Sequence, residues 1–248
     1  MNSAHIPAPS PDWCLFLDID GTLIEFSDSP SDTRPDRELN RLLGMVDRSL
    51  GGSLALISGR SIQNLDALFS PSRFAAAGVH GVERRGASGE THRAQFTDAV
   101  LDRARASMRA FVEGNPGSIL EDKGAALALH FRMAPHLEHS ARRLVGAIAA
   151  DLGDRFHLQE GDKVVEIKSS LANKATAIEA FLREVPFIGR TPVFLGDDVT
   201  DQDGFRAVEA HAGISIAVGD RVSAQWRLAN PAAVRAWLGR VAAMGARP

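Results

Sequence analysis

Short apolar runs alternate with amphipathic stretches along most of this chain. Trp13–Ile19 is apolar at every position but Asp18, as suits a central strand covered on both faces. Asp36–Leu50 follows, with Leu39, Leu42, Leu43, Val46 and Leu50 at helical spacing. Gly51-Gly52 turns the chain into a second short strand, Ser53–Ile57. Ser61–Phe69 carries Ile62, Leu65 and Leu68 at helical intervals, and Phe74–Val79 is a third strand. Strand, helix, strand, helix, strand predicts an α/β fold with a doubly wound parallel sheet.

The rhythm then changes. Gly86–Gly89 is turn-like, and Phe96–Glu113 is a helix closed by Gly114-Asn115-Pro116-Gly117. Ser118–Arg132 reads as two strands with a turn near Lys123-Gly124, Pro135–Leu152 as a helix, and Phe156–Ile167 as a hairpin turning at Gly161-Asp162. These elements predict an inserted α+β cap domain at 85–167. The α/β rhythm resumes with a helix at Asn173–Val185, where Asn173 is a good N-cap. A strand at Thr191–Leu195, a helix at Asp201–Ala207 and a strand at Gly213–Val218 follow. Asn230-Pro231 starts a last helix that runs to Met244, with proline at its favoured first position. Trp226 and Trp237 are expected with this final helix, as core residues. The division expected is a flexible lead-in at 1–12, a core at 13–84 and 168–248, and the cap.

Composition narrows the partners. The chain has 248 residues, 44% apolar and 24% charged, enough to bury a core. Lys and Arg number 28 against 31 Asp and Glu, and the net charge of −3 argues against a nucleic-acid partner. A single cysteine, Cys14, rules out an intrachain disulfide and a zinc finger. Pro7, Pro9 and Pro11 break a lead-in with no apolar core, and no stretch reaches the ~20 apolar residues of a membrane span. A cytoplasmic, monomeric chain with no membrane partner is expected.

Four segments sit just past predicted strands, where ligands bind in such sheets. In Asp18-Ile19-Asp20-Gly21-Thr22, two carboxylates at i and i+2 leave a strand on one face, Gly21 permits a tight turn, and Thr22 offers a hydroxyl. The plain alternative is a glycine turn with solvated acids. Ile57-Ser58-Gly59-Arg60 combines a hydroxyl, open backbone and a guanidinium, a set that suits an anionic oxygen, though Ser-Gly is also a common turn pair. Lys174 opens a helix; taken alone, it reads as a surface lysine in a slightly unfavourable dipole position. Gly196-Asp197-Asp198-Val199-Thr200-Asp201 places three acids within five residues, inviting a hard cation or simply capping a helix.

In this order and spacing the four segments resemble the haloacid dehalogenase-like phosphatases, from about residue 13 onwards. Three further segments resemble motifs of one branch, the trehalose-6-phosphate phosphatase family. They are Gly78-Val79-His80-Gly81-Val82-Glu83, Glu121-Asp122-Lys123 leading to His130-Phe131-Arg132, and Gly161-Asp162-Lys163-Val164-Val165-Glu166-Ile167. Gln202 departs from the family, which commonly has Glu there.

The resemblance implies a Mg²⁺-dependent phosphatase acting on a phosphorylated disaccharide, trehalose 6-phosphate, through an aspartyl-phosphate. It makes Asp18 the nucleophile and Asp20 the general acid and base. Asp18, the main-chain carbonyl of Asp20, and Asp197 become the Mg²⁺ ligands. Ser58, Gly59 and Lys174 become the phosphate holders, and Thr22, Asp198 and Asp201 the surrounding shell. Arg60, His80, Glu121, Lys123, Arg132 and Glu166 are the residues it implies for the substrate. A sucrose-phosphate or mannosylglycerate-phosphate phosphatase, a sugar phosphomutase and a non-catalytic sugar-phosphate sensor are the competing readings.

Overall fold

The structure, a computed structural model, describes residues 6–25, 36–94, 98–122, 126–153, 156–169 and 172–245. The chain divides into two compact units, 1–92 with 174–248, and 93–173.

The first unit is built on an eight-stranded sheet. In chain order its strands are β1 (Trp13–Leu17), β2 (Leu54–Ile57), β3 (Ala75–Gly78), β4 (Glu83–Arg85), β5 (Thr91–Arg93), β10 (Thr191–Gly196), β11 (Ile214–Val218) and β12 (Trp226–Leu228). They lie side by side as β12-β11-β10-β1-β2-β3-β4-β5. β1 pairs in parallel with both β10 and β2, at the centre. Its side chains alternate between two buried layers, as the period of a strand requires. Trp13, Leu15 and Leu17 enter one layer with Leu39, Leu43, Val234, Trp237 and Leu238. Cys14 and Phe16 enter the other with Ile178, Phe181, Phe205 and Val208. The helices α1 (Arg37–Ser49), α2 (Ile62–Leu68) and α7 (Pro231–Met244) therefore cover one face, and α5 (Lys174–Phe181) and α6 (Gln202–Ala210) the other. This is the doubly wound arrangement, and it explains why β1 reads as an unbroken apolar run. Burial also pushes the Cys14 thiol up to about 12, so it is inert packing.

The second unit holds a four-stranded antiparallel sheet, β6 (Ile119–Asp122), β7 (Ala126–His130), β8 (Phe156–Gly161) and β9 (Val164–Ser169), in the order β6-β7-β9-β8. Helices α3 (Asp98–Gly114) and α4 (Glu138–Leu152) share one core with it, including Met108, Leu129, Phe131, Val145 and Ile167.

Three details differ from the sequence expectation. The second unit begins at 93 rather than 85, because β4 and β5 extend the first sheet, and β9 carries the second sheet on to Ser169. Residues 84 and 85 look like loop because both are arginines, yet both are buried. Arg84 is held by both oxygens of Glu184 at 2.7 Å, and Arg85 by both oxygens of Asp66 at 2.7 and 2.8 Å. Trp226 belongs to β12, not to the final helix, and is half-buried; Trp237 alone is fully in the core, stacked on Trp13 at 6.1 Å. Among the described residues no helix is long and apolar enough to cross a membrane.

Candidate active site

The parallel register brings three of the motifs together at the carboxyl ends of the central strands β1, β2 and β10. Leu17 stands opposite Leu195 on one side and Leu56 on the other. Asp18 directly follows β1, Ser58 directly follows β2, and Asp197 directly follows β10. The Asp18 N–H still donates to the Leu195 carbonyl, 3.0 Å, so the nucleophile candidate is anchored to the neighbouring strand.

Behind these strand ends lies a buried charge cluster. Lys174 Nζ donates to Asp18 Oδ1 at 2.7 Å and also to Asp201 Oδ1. The other Asp201 oxygen accepts the backbone N–H of Asp197 at 2.9 Å and of Asp198 at 3.0 Å. Asp201 therefore uses both oxygens on the protein itself, fixing the loop after β10 and the ammonium together. Asp198 accepts from the Val199 N–H and completes a reciprocal cap with Asp201, so this acidic loop does start a helical turn. Thr22 Oγ1 donates to Asp197 Oδ1 at 3.1 Å. Gly21 makes that approach possible: its φ is +84°, and a Cβ there would meet Asp197 Oδ2 at 2.2 Å.

Charge in this cluster is unbalanced. Asp18, Asp197 and Asp201 bring carboxylate oxygens within 4.8 Å of one another, against one buried lysine bonded to two of them. Burial raises the Asp18 carboxyl well above the usual range; Lys174 pulls it back, and Asp201 and Asp197 push it up again. Asp197 is pushed up to about 6, by burial first and then by Asp201. Burial pulls the Lys174 ammonium down, but the facing Asp18 and Asp201 outweigh it, so it stays charged above the ordinary lysine range. An all-oxygen donor set with surplus negative charge fits a hard divalent cation. A second group of candidate ligands, Glu90, His92 and Glu184, includes an imidazole nitrogen and lies nearer the surface of the same unit, but Glu184 is already engaged by Arg84.

The phosphate-loop candidates are held from behind. Ser58 is buried; its hydroxyl accepts the Arg60 N–H at 3.1 Å and its carbonyl accepts the His80 N–H at 2.9 Å. The His80 ring lies against Gly59, where a Cβ would come within 2.6 Å of Nε2. His80 therefore backs the Ser58–Arg60 loop. Arg60 itself faces Asp20: Nε donates to Oδ2 at 2.7 Å and Nη2 to Oδ1 at 2.6 Å. Nothing in the local pattern marks this pair, which joins two residues 40 positions apart. Arg221, also unforeseen, lies past β11 with Nη1 3.8 Å from Asp197 Oδ2.

In the second unit Glu121 and Glu166 both stand opposite Ala128, so they share one row across the sheet. Glu121 Oε2 lies 3.0 Å from His130 Nε2, and Glu166 Oε2 lies 3.4 Å from Lys168 Nζ. Glu166 and Lys168 are buried. Lys168 falls at the border of the expected cap, outside every motif of the sequence. Arg132 is exposed and pairs with Asp162 at 3.2 Å, apart from that row in sequence and register. Lys123 lies outside the described residues.

Comparison with known proteins bears on both units together. The family model described as trehalose-phosphatase matches residues 16–233. The chain belongs to the trehalose-phosphatase family. It is 42% identical over 233 residues to the trehalose-6-phosphate phosphatase of Escherichia coli (strain K12), a match that covers 94% of this chain and 87% of the relative. Among solved structures, a trehalose-6-phosphate phosphatase related protein is similar with a TM-score of 0.79 at 24% identity, over 94% of this chain and 98% of that one. BT1666 from Bacteroides thetaiotaomicron, described among phosphatases of the haloalkanoate (HAD) superfamily, is similar with a TM-score of 0.61 at 15% identity, over 95% and 94%. At these identities the two structures speak to the fold, and the family match carries the membership.

Proposed function

We propose that this member of the trehalose-phosphatase family hydrolyses trehalose 6-phosphate to trehalose and phosphate in two steps at Asp18. The observation that carries this reading is the buried Lys174–Asp18 contact of 2.7 Å at the carboxyl end of the central strand, with Asp197, Asp201 and the Asp20 turn beside it.

In the first step an Asp18 oxygen attacks phosphorus, the bond from phosphorus to the sugar oxygen breaks, and Asp20 gives that oxygen its proton. A carboxylate needs no base to become a nucleophile. In the second step Asp20 takes a proton from water as the water oxygen attacks phosphorus. The bond to Asp18 then breaks, releasing phosphate and restoring both carboxyls. Ser58, the Gly59 backbone and Lys174 hold the phosphoryl oxygens, where transition-state charge spreads.

Asp18, the main-chain carbonyl of Asp20, and Asp197 would hold Mg²⁺, with Asp198 and Asp201 behind them. When bound there, the ion neutralises charge on the phosphoryl oxygens and lowers the barrier to attack by an anion. The fit rests on the surplus of buried carboxylate over ammonium. Glu121 and Glu166, which share a sheet row, together with Lys123, bind sugar hydroxyls; polar groups left unpaired by a wrong sugar are what discriminates.

A phosphate-release panel over sugar phosphates, with Mg²⁺ and with EDTA, tests the reading. Trehalose 6-phosphate turns over fastest, EDTA stops turnover, and added Mg²⁺ restores it. Faster release from another sugar phosphate, isomerised sugar phosphate without release, or indifference to EDTA and Mg²⁺ contradicts it.

A further inference from the structure

We propose that Arg60 is a positioning residue for Asp20, acting through that carboxylate rather than on the sugar. The inference rests on Asp20 being the proton donor of the reading above, and it adds what aims that donor.

Two parallel N–H···O bonds, 2.7 Å from Nε and 2.6 Å from Nη2, occupy both Asp20 oxygens. A fork on a carboxylate fixes its plane as well as its position. Without it an aspartate in a turn has competing uses for its oxygens, chiefly nearby backbone N–H groups. The Arg60 side chain is only 12% exposed, whereas that of Asp20 is 31% exposed, so the guanidinium is the more enclosed anchor and the carboxyl the more open part.

The arginine is itself fixed from behind. Its N–H donates to Ser58 Oγ at 3.1 Å, and its carbonyl accepts the Val79 N–H at 2.9 Å. The neighbouring His80 N–H donates to the Ser58 carbonyl at 2.9 Å. Val79 and His80 make these two contacts from left-handed backbone, φ +48° and +55°. That region is unfavourable for any residue with a Cβ and most of all for a β-branched valine. Backbone strain of this kind persists where surrounding structure enforces it, and here it delivers two donors to the two carbonyls that flank Gly59. The chain thus builds a rigid base from β3 to Arg60 and ends it on Asp20. In the acid form one Asp20 oxygen carries the proton, gives up its N–H bond and points that O–H at the leaving oxygen, while the other oxygen keeps its bond to Arg60 and holds the carboxyl in plane; once the proton has gone to the leaving oxygen, both bonds form again on the carboxylate.

The test uses phenyl phosphates that differ only in ring substituents, so that no sugar is present and only the need for a proton on the leaving oxygen varies. kcat/KM is measured for wild type, Arg60→Ala, Arg60→Lys, Asp20→Asn and Arg60→Ala/Asp20→Asn. The expected result is a steeper dependence on leaving group in Arg60→Ala, with a loss of about 10²-fold for the poorest leaving group and only a few-fold for the best. Arg60→Lys keeps charge without the fork and stays steep, and the double variant matches Asp20→Asn alone. If Arg60→Ala does not fold, Arg60→Lys and its double with Asp20→Asn carry the same comparison. An equal loss across the series overturns the proposal, since it marks a phosphate contact or a fold defect. So does an unchanged series with a raised KM for trehalose 6-phosphate, which marks a sugar contact. A flat dependence in Asp20→Asn removes Asp20 as proton donor, and this inference falls with it, whereas a steep Asp20→Asn beside a flat Arg60→Ala overturns the role of Arg60 alone.

Discussion

Lys174 Nζ lies 2.7 Å from Asp18 Oδ1, and the same ammonium is bonded to Asp201, with all three groups buried. The lysine that reads as a misplaced surface charge at a helix start is the counter-ion of the strand end. Its side chain spans from α5 to β1 and β10, so its position answers to the carboxylates and not to the helix dipole.

Lys174→Met follows directly. It leaves three buried carboxylates without their ammonium, and breaking such a pair costs about 3–5 kcal/mol. The variant melts well below wild type in EDTA, and Mg²⁺ recovers part of the difference because a cation replaces the missing charge. Thermal melts with and without Mg²⁺ check this, and an unchanged melting temperature in EDTA contradicts it.

Stability against pH has a definite sign. Burial, with Asp201 next, lifts Asp197 to about 6, and burial also lifts Asp18. The folded, metal-free protein thus keeps protons that the unfolded chain releases near the ordinary value of 3.8. Where the folded state binds more protons, stability falls as pH rises. The Asp197 contribution is greatest below pH 3.8 and is lost as pH climbs through about 6; Asp18, raised as well, adds a loss of the same sign. Asp197→Asn does not titrate, so in EDTA its stability relative to wild type increases across that window. Mg²⁺ reverses the trend for wild type, since it binds the ionised form. Denaturant melts of both proteins at several pH values, each with EDTA and with Mg²⁺, measure this; a constant difference contradicts it.

Gly59→Ala separates the loop from its backing. A Cβ there meets His80 Nε2 at 2.6 Å and Cε1 at 2.8 Å, and the ring sits on backbone that is already strained. Overpacking of this kind costs about 1–3 kcal/mol. The variant melts lower and binds vanadate, a phosphate mimic, more weakly, because Ser58 is tied to His80 through its carbonyl. Equal vanadate affinity in the two proteins counts against the loop's part in holding phosphate.

How far the sequence could be read depended on the range of the interactions. β1, β2, β3, β10 and β11 are legible because central parallel strands must be apolar on both faces, so Cys14–Leu17 and Val193–Leu195 announce themselves. Asp18, Ser58 and Asp197 are legible because each directly follows such a run, whereas Lys174 opens a helix and is not. β4 is not, because Arg84 and Arg85 are buried against distant partners, among them Glu184, 100 residues from Arg84, and Asp66. β5 and β12 are three residues each, too short for a periodic signal. The pairing of Arg60 with Asp20 is hidden for the same reason as β4: local pattern shows a guanidinium and a carboxylate, and only the register of β1 against β2 brings them together.

In the mechanism proposed above, Asp18 carries the phosphoryl group during hydrolysis of trehalose 6-phosphate. The most direct test of that role is phosphate release from that ester by wild type and Asp18→Asn side by side, in Mg²⁺, with melting curves to show that both are folded. Wild type is expected to release phosphate steadily, and a folded Asp18→Asn only at background. Release by the variant at close to the wild-type rate, or none by wild type, contradicts it.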